Sequence, residues 1–559
     1  MMRFRMSAVL SMMLALAVGA CGTARGAGPG VQAAGSDGDG VAGASQVGAA
    51  GAAPGSRSGG TSATASPVVA THSDGGLFTV RGQGERVLFE IPDSILGRDM
   101  VVMSRYASTQ YGLANGGDRM APNLVVRWER RGDRVFLRAV SHEIGADDGG
   151  SLTIAVENAN FPPVLASFEV EGENGGRSVI DVTDLYRGDV PAFTLPARQR
   201  SRVGARGYDR DRGWLEFVRA FPRNVEVRVV QTYAAGDPPS SGRGGTVSFE
   251  VNHSMILLPE EPMMPRLWDE RVGYIGISRT DYSRDFQGVR PERYIRRYRL
   301  EPKDPDAIAR GELSEPVNPW VWYIDPATPE EWVPYIREGI LEWNSAFEEA
   351  GFRNALDVRV APSPEEDPEF SLLDARHSVV RWVASPVRSA NSGGDVVDPR
   401  SGEVIRAHTN FYHGLAERLR WWLVSQLAAA NPQFQTNELS RADMGEAMRY
   451  VSSHEFAHSV GLPHNQRANF VFPLDSIRDP DFVERMGHSA SSVGRTRYNY
   501  AAQPGDGVMA ERRMGIWDRF AVVWGYRPIP EADTPEEEVP TLSRWITEKA
   551  HLPWFRFAS

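Results

Sequence analysis

Apolar and polar residues alternate along much of the first half of the chain. Between Leu77 and about Tyr274, short runs rich in β-branched and aromatic residues are separated by glycine and aspartate, as at Gly132-Asp133, which is typical of strands joined by tight turns. This pattern predicts strands over residues 86–91, 100–105, 124–129, 134–140, 152–157, 179–182, 225–233 and 246–258. We therefore expect an antiparallel β domain, built as a sandwich or a barrel.

The spacing of apolar residues changes to a helical period near Pro319. A Thr-Pro-Glu-Glu capping box at 328–331 precedes apolar residues at 332, 336, 340, 343 and 347, which predicts one helix ending at Gly351. Further strands are predicted at 320–324, 356–360, 378–384 and 404–411, and further helices at 415–430 and 441–459, the last capped by Ser440. Strands that alternate with helices predict an α/β domain, so the whole chain is predicted to be α+β and multidomain.

The first 75 residues have a different character from the rest of the chain. Two arginines precede an apolar stretch at 8–18 that is too short to span a bilayer, and the Val-Gly-Ala-Cys at 18–21 resembles a bacterial lipobox ending at Cys21. We expect residues 1–21 to be a lipoprotein signal peptide and residues 22–75, rich in Gly, Ala and Ser, to be a flexible linker. An ordinary cleaved signal peptide is the alternative, and either interpretation exports the protein.

Composition and charge exclude some classes of protein. The net charge is −11, whereas a nucleic-acid-binding protein usually carries a concentrated basic surface, so we expect no nucleic-acid partner. Cys21 is the one cysteine, which excludes an intramolecular disulfide framework and a zinc site made of cysteines. The sequence carries no signal for an oligomeric state.

A dense group of histidines lies at residues 454–464, which read His-Glu-Phe-Ala-His-Ser-Val-Gly-Leu-Pro-His. On a helix, His454 and His458 are about 40° apart in azimuth and about 6 Å apart in rise, so both rings can reach one metal ion. Gly461 lets the chain leave the helix, and His464 can return as a third ligand. Three nitrogen ligands leave one position for water, as in catalytic zinc sites, and Glu455 is placed to act as the general base.

The motif HExxHxxGxxH resembles that of the metzincin clan of zinc endopeptidases. Segments at 263–273, 324–329, 343–352, 398–403, 498–500 and 524–528 resemble a family of exported bacterial zinc-dependent metalloproteases. The resemblance implies a β-rich N-terminal domain at residues 76–300, followed by a metzincin-like zinc peptidase domain at residues 301–559. It also implies an edge strand within 390–397, beside 404–411, that pairs with an extended substrate.

The chain departs from that family in two places. The methionine of the family's Met-turn is absent from residues 491–498, so the Met-turn is degenerate and Val493 is expected beneath the ligands. The family also continues beyond its Trp-Gly-Tyr-Arg-Pro segment, here at 524–528, so the peptidase domain is expected to be C-terminally truncated.

The predicted function is a zinc-dependent endopeptidase, with Zn²⁺ as its cofactor and Glu455 as the general base for a zinc-activated water. One alternative is a catalytically weakened, metzincin-like lipoprotein that binds peptides or envelope partners. The other is a zinc hydrolase that acts on something other than a peptide. The predicted partners are a protein or peptide substrate and a membrane reached through the lipidated Cys21. The predicted location is the bacterial cell envelope, in the periplasm or at the outer membrane.

Overall fold

The computed structural model describes residues 70–72, 76–146, 150–239, 244–283, 288–289, 291–392, 395–508 and 512–559. The predicted signal peptide with Cys21, and almost all of the predicted linker at 22–75, lie outside these ranges. Within these ranges, no helix has both the length and the apolar character that crossing a membrane requires. The described residues belong to one compact unit, 36–559, so the domain boundary predicted between residues 300 and 301 stays a prediction.

Antiparallel strands dominate the chain before residue 300. The strands are β1 Ala70–His72, β2 Thr79–Gln83, β3 Arg86–Pro92, β4 Asp99–Thr109, β5 Leu124–Arg131, β6 Arg134–Val140, β7 Ile144–Gly145, β8 Val164–Glu169, β9 Gly172–Glu173, β10 Arg177–Asp181, β11 Ala205–Tyr208, β12 Trp214–Ala220, β13 Asn224–Ala235, β14 Thr246–Leu257, β15 Gly276–Asp281 and β16 Pro291–Ile295. In the described chain, nine of them form one sheet in the order β1-β12-β13-β14-β4-β5-β6-β8, with β11 also paired to β13. Only the β1–β12 pairing in it is parallel. A second sheet has the order β2-β3-β10-β9, so the predicted antiparallel β region is confirmed.

The hairpin of β5 and β6 shows how the sequence pattern produces this region. Gly132 turns the chain with a φ of 62°, a value that favours glycine, where the Gly-Asp turn was predicted. Trp128 on β5 points inward and is fully buried. Its ring lies 6.4 Å from that of Phe78, 6.5 Å from that of Phe89 and 5.7 Å from that of Phe168, measured between centroids. Burial of these large apolar surfaces stabilises the packing of the two sheets.

Three short helices lie among these strands, and the first corrects a prediction. They are α1 Ser151–Ala159, α2 Thr183–Arg187 and α3 Ala197–Arg202. Residues 152–157 were predicted to be a strand, but they form the middle of α1, which has no buried residue. No neighbouring strand pairs with this segment, and a helix satisfies its backbone groups internally. The apolar pattern of Leu152, Ile154 and Val156 is therefore not a core pattern, and the strand prediction was wrong.

Strands and helices alternate after residue 300. The strands are β17 Trp320–Ile324, β18 Leu356–Val360, β19 Ser378–Val383, β20 Ala390–Asn391, β21 Val396–Val397, β22 Val404–Arg406 and β23 His408–Tyr412. The helices are α4 Pro305–Ala309, α5 Val333–Leu341, α6 Asn344–Glu349, α7 Leu415–Leu427, α8 Arg441–Val460, α9 Leu474–Ile477, α10 Pro480–Met486, α11 Ile516–Tyr526 and α12 Pro535–Lys549. One sheet has the order β18-β17-β19-β23-β20, parallel except for the antiparallel edge strand β20. With the β-rich region before it, the fold is α+β, as predicted.

Two details of this region differ from the prediction. The single helix predicted from the capping box begins only at Val333 and is interrupted between α5 and α6. The interruption lets the indole of Trp343 donate to Ser453 Oγ at 2.9 Å, while the Asn344 side chain accepts from the backbone of β18 at 2.9 Å. The strand predicted at 404–411 is divided into β22 and β23, which pair with different sheets. In the first case, side-chain contacts with distant segments interrupt a helix that the local pattern predicts as continuous. In the second case, the chain passes from one sheet to another within a strand that the local pattern predicts as continuous.

A buried ion pair joins the β-rich half of the chain to the last long helix. Arg266 donates from Nε to Glu538 Oε2 on α12 at 2.8 Å, and both side chains are 1% exposed. Arg266 Nη1 also donates to the carbonyl of Trp524 at 2.7 Å. Because both charges are satisfied inside the protein, this contact fixes α11 and α12 relative to residue 266.

Candidate metal centre

Helix α8 carries the first two predicted ligands, and its ends are fixed by the sequence. At its start, the Ser440 side chain accepts from the backbone N–H of Asp443, as the predicted cap requires. Midway, α8 lies so close to α5 that a Cβ on Gly339 would be 2.3 Å from the carbonyl oxygen of Arg449. At its end, Gly461 adopts a φ of 109°, a left-handed conformation that releases the chain from the helix. The predicted helix, cap and terminating glycine are therefore confirmed.

The three predicted histidines lie together around one point. One ring nitrogen from each of His454, His458 and His464 lies within 4.8 Å of the others. The Nε2 atoms of His454 and His464 are 3.2 Å apart. The Nδ1 atom of His454 is 2.8 Å from the carbonyl oxygen of Ser492, and that of His458 is 2.7 Å from the carbonyl oxygen of Leu462. A carbonyl can only accept, so both Nδ1 atoms donate and both Nε2 atoms keep a free lone pair.

Burial keeps these rings neutral. It lowers the pKa of His458 to about 4 and the pKa of His464 to about 2. Burial also lowers the pKa of His454 well below its usual value, and the neighbouring Arg497 acts in the same direction. A metal ligand must be the unprotonated imidazole, so the three rings are in the required state at neutral pH.

The spacing of the nitrogens fits a zinc ion. Two nitrogens bound tetrahedrally to zinc at about 2.0–2.1 Å lie about 3.3 Å from each other, close to the separation of the two Nε2 atoms. Neutral nitrogen ligands suit zinc, and three of them leave one coordination position open. The site therefore has the ligand type of a catalytic zinc centre, and one pair of its nitrogens has the matching separation.

Glu455 follows the first histidine on α8 and is 9% exposed. Its Oε2 accepts a hydrogen bond of 3.2 Å from Ser392 Oγ, and the backbone of Ser392 also hydrogen-bonds its carboxylate. Burial raises the pKa of Glu455 to about 7, although Arg497 and Ser392 oppose the shift. The carboxyl group, next in sequence to the first histidine, is thus held by Ser392 in a buried environment that raises its pKa.

A turn beneath the histidines replaces the Met-turn. Its residue Ser492 supplies the carbonyl that orients His454, and the next residue, Val493, is fully buried in the same apolar core as Ala457. Asp518 holds the turn because it accepts from the Ser491 hydroxyl at 2.7 Å and from the Ser492 backbone N–H at 2.6 Å. The degenerate Met-turn therefore still supports the first ligand, with a valine in place of a methionine.

An edge strand passes close to Glu455. Strand β20 lies within the predicted range 390–397 and pairs antiparallel with β23 through Ala390–Phe411 and Asn391–Asn410. Ser392 directly follows β20, so the end of this strand contacts the carboxylate of Glu455. The predicted strand is present, and its role in binding substrate stays a prediction.

Several residues around the centre were not predicted from the sequence. The positive charge of Arg497 lowers the pKa of all three histidines and of Glu455. The positive charge of Arg495 lowers the pKa of His458 and His464. These arginines and Ser392 lie in loops, where no periodicity marks them. A φ of 41° at Arg497, unusual for a residue other than glycine, appears only in the structure.

The C-terminal segment holds the loop that follows His464. The buried side chain of Asn465 donates to the carbonyl of Arg556 at 3.2 Å and accepts from the backbone N–H of Ala558 at 3.3 Å. The backbone N–H of Gln466 also donates to the Ala558 carbonyl at 2.8 Å. The last described residues thus support the position of the third histidine. No sequence signal pointed to this contact.

Three family models match parts of the chain. Residues 436–559 match the family described as Met-zincin. Residues 117–303 match a domain of unknown function (DUF5117), and residues 68–109 match a second domain of unknown function (DUF5118). No curated protein and no solved structure matches the chain.

The Met-zincin match includes the whole of α8, all three histidines, the turn at Ser492 and the C-terminal segment. The geometry of the histidines agrees with that match, because they are positioned to bind the zinc ion that this family implies. Residues 436–559 therefore match the Met-zincin model, and the three histidines within them are positioned to bind a metal ion.

Proposed function

We propose that the protein is a zinc-dependent endopeptidase that hydrolyses peptide bonds at the centre formed by His454, His458 and His464. The observation that carries this proposal is the convergence of three neutral ring nitrogens beside the carboxyl group of Glu455. A structural zinc site would have four protein ligands, whereas three ligands beside a general base are typical of hydrolytic sites. The Met-zincin match supports a metallopeptidase in general.

Each side chain has a separate role in the proposed reaction. The three histidines would hold the zinc ion, which when bound would supply an activated water and polarise the carbonyl of the scissile bond. Glu455 accepts the proton of the attacking water and then transfers it to the leaving amine. The hydrogen bond from the Ser392 hydroxyl holds the Glu455 carboxyl group in position for both transfers. His454 is 3% exposed and Glu455 is 9% exposed, which limits the access of bulk water to these two side chains.

Peptide main chain is the proposed substrate, bound as an additional strand. β20 is the edge strand of its sheet, with one side paired to β23. An extended peptide that pairs with its other side passes directly beside Glu455, because Ser392 at the end of β20 contacts that carboxylate. Main-chain hydrogen bonds provide affinity for many sequences, which suits an endopeptidase.

We also propose that the protein is exported and anchored to the cell envelope through a lipidated Cys21. The positive, apolar and small-residue segments at 1–21 support export, and the Gly/Ala/Ser-rich stretch at 22–75 would act as a tether. Metabolic labelling with a palmitate analogue tests this proposal. Label on the wild-type chain that is lost in Cys21→Ser supports the anchor, and an unlabelled wild-type chain overturns it.

The test of the catalytic proposal compares the region from residue 76 onward with its Glu455→Gln variant. We expect about one zinc per chain in both proteins by metal analysis, because Glu455 is not one of the three nitrogen ligands. We expect chelator-sensitive cleavage of casein by the native protein and its loss in the variant.

Two results would count against the proposal. Zinc in both proteins without cleavage by either would favour a peptide-binding protein, the alternative suggested by the degenerate Met-turn. Absence of zinc from the native protein would remove the basis for any metallopeptidase activity.

A further inference from the structure

Three arginines lie near the candidate metal centre, in addition to the carboxyl group of Glu455. The positive charge of Arg497 disfavours protonation of all three histidines and favours the ionised form of Glu455. The charges of Arg495 and Arg296 also disfavour protonation of His458. The chain as a whole has a net charge of −11, whereas these three side chains near the histidines are cationic. A local positive field next to a reacting bond attracts anionic groups of a substrate.

The three arginines differ in how they are neutralised. Arg296 donates to the buried carboxylate of Asp395 at 2.8 Å, so its charge is balanced within the protein. Arg495 interacts with other groups of the protein as well. In the described part of the chain, Arg497 has no carboxylate within ion-pair distance; its guanidinium contacts the hydroxyl of Tyr450 and the ring of Trp422. Among the described residues, Arg497 is therefore a cation near this centre that has no carboxylate within ion-pair distance.

The position of the Arg497 guanidinium is well defined. It lies 4.6 Å from the centre of the Trp422 ring, and Nη1 is 3.5 Å from the Tyr450 hydroxyl. The Tyr450 ring in turn contacts His454 edge to face, with centroids 6.1 Å apart. One aromatic side chain thus separates the guanidinium from the first ligand.

The backbone at Arg497 supports a functional role for this side chain. Its φ of 41° is unfavourable for a residue with a Cβ, and such conformations persist where the surroundings enforce them. The next residue, Tyr498, donates from its backbone to Gln426 Oε1 at 2.9 Å, and the Asn499 side chain donates to the Ile477 carbonyl at 2.6 Å. These bonds hold the unfavourable conformation and keep the half-buried guanidinium next to the centre.

We propose that Arg497 binds an acidic side chain of the peptide substrate next to the scissile bond, so that the enzyme prefers cleavage sites flanked by aspartate or glutamate. The planar fork of the guanidinium matches a carboxylate through two parallel hydrogen bonds. Stacking on Trp422 leaves the edge of the fork free for these bonds, since a stacked guanidinium uses its face. This inference rests on the proposed endopeptidase activity and adds a substrate class to it.

The experiment maps cleavage sites in a mixture of tryptic peptides by mass spectrometry, using the zinc-loaded protein. We expect acidic residues to be enriched roughly tenfold at one position adjoining the cleaved bond, which is the effect of a hydrogen-bonded charge pair. The enrichment should disappear in Arg497→Gln and should be reduced in Arg497→Lys, which keeps the charge without the fork. Arg418→Gln is the matched control, because the guanidinium of Arg418, a residue of α7, lies 6.0 Å from the centre of the same Trp422 ring.

A binding measurement provides a readout that does not depend on turnover. The best-cleaved peptide and its Glu→Gln counterpart are titrated calorimetrically into the Glu455→Gln protein, with and without Arg497→Gln. We expect the acidic peptide to bind roughly tenfold more tightly, and we expect this difference to vanish in the double variant.

The outcomes separate the two proposals. Cleavage without acidic enrichment, or enrichment that persists in Arg497→Gln, overturns the role of Arg497 and leaves the endopeptidase proposal intact. No cleavage of any peptide by the zinc-loaded protein overturns the endopeptidase proposal, and the acidic preference with it. Equal loss of enrichment in Arg418→Gln would assign the effect to the Trp422 surface and also overturn the role of Arg497.

Discussion

Replacement of Ser392 by alanine tests how the proposed general base is held. The hydroxyl of Ser392 donates to Glu455 Oε2 at 3.2 Å from the end of the edge strand β20. Alanine removes this donor but keeps the backbone contact to the same carboxylate. We therefore expect Ser392→Ala to leave zinc binding and folding intact and to lower kcat, because the carboxylate can then rotate away from the water that it must deprotonate.

The size of the effect follows from the geometry of the bond. A hydrogen bond to a charged group contributes about 1.5–3 kcal/mol. A donor–acceptor distance of 3.2 Å is at the long end for a hydroxyl donor, and the backbone contact remains, so the lower end applies. A loss of about 1.4 kcal/mol in the transition state lowers kcat about tenfold. KM should change less than twofold or so, since the peptide pairs with the strand and not with the Ser392 hydroxyl.

The assay is steady-state hydrolysis of a fluorogenic peptide by the wild-type protein and by three variants of known zinc content. Ser392→Thr should recover most of kcat because it restores a hydroxyl. Ser389→Ala is the matched control, since the Ser389 hydroxyl donates to the Ala390 carbonyl on the same strand. If Ser392→Ala keeps kcat within about twofold of wild type, or if Ser389→Ala loses as much, the hydroxyl does not position the base.

Three further perturbations test other parts of the structure. Glu538→Ala leaves the buried Arg266 without its counter-charge and should lower the free energy of unfolding in urea by about 3–5 kcal/mol; a loss below about 1 kcal/mol would contradict the buried pair. Asn465→Ala removes two hydrogen bonds to the C-terminal segment and should weaken zinc affinity in a chelator competition by up to about tenfold, and an unchanged affinity would refute this support. Burial raises the pKa of Glu226 to about 7, so the fold disfavours its ionised form. The free energy of unfolding of the wild type, relative to that of Glu226→Gln, should therefore be greatest below about pH 4.5. It should fall by about 3 kcal/mol as the pH rises past 7. A relative free energy of unfolding that does not change with pH would contradict the raised pKa.

The convergence of the three histidines could be predicted from the sequence because their geometry is local. His454 and His458 are related by one turn of helix, and Gly461 and His464 follow within a few residues. The alternating strands of the β-rich region were predictable for the same reason, since the hairpin of β5 and β6 depends on neighbouring residues. The edge strand β20 was predicted by resemblance and is present at Ala390–Asn391.

Other features depend on contacts between distant segments and left no local pattern. The bond from Ser392 to Glu455 joins residues 63 positions apart. The unfavourable backbone of Arg497 is maintained by partners on separate helices, and the interruption before Asn344 depends on a bond to β18. The strand predicted at 152–157 failed because apolar periodicity reports which residues could be buried, and not whether a partner strand exists.

The contact between Asn465 and the C-terminal segment has a consequence for the order in which the parts of the candidate metal site form. Ribosomes make the chain from the N-terminus, and Ala558 is added 93 residues after Asn465. A nascent chain that already displays His464 therefore still lacks the residues that hold its loop. The proposed metal site thus gains this support only after residue 558 has been added.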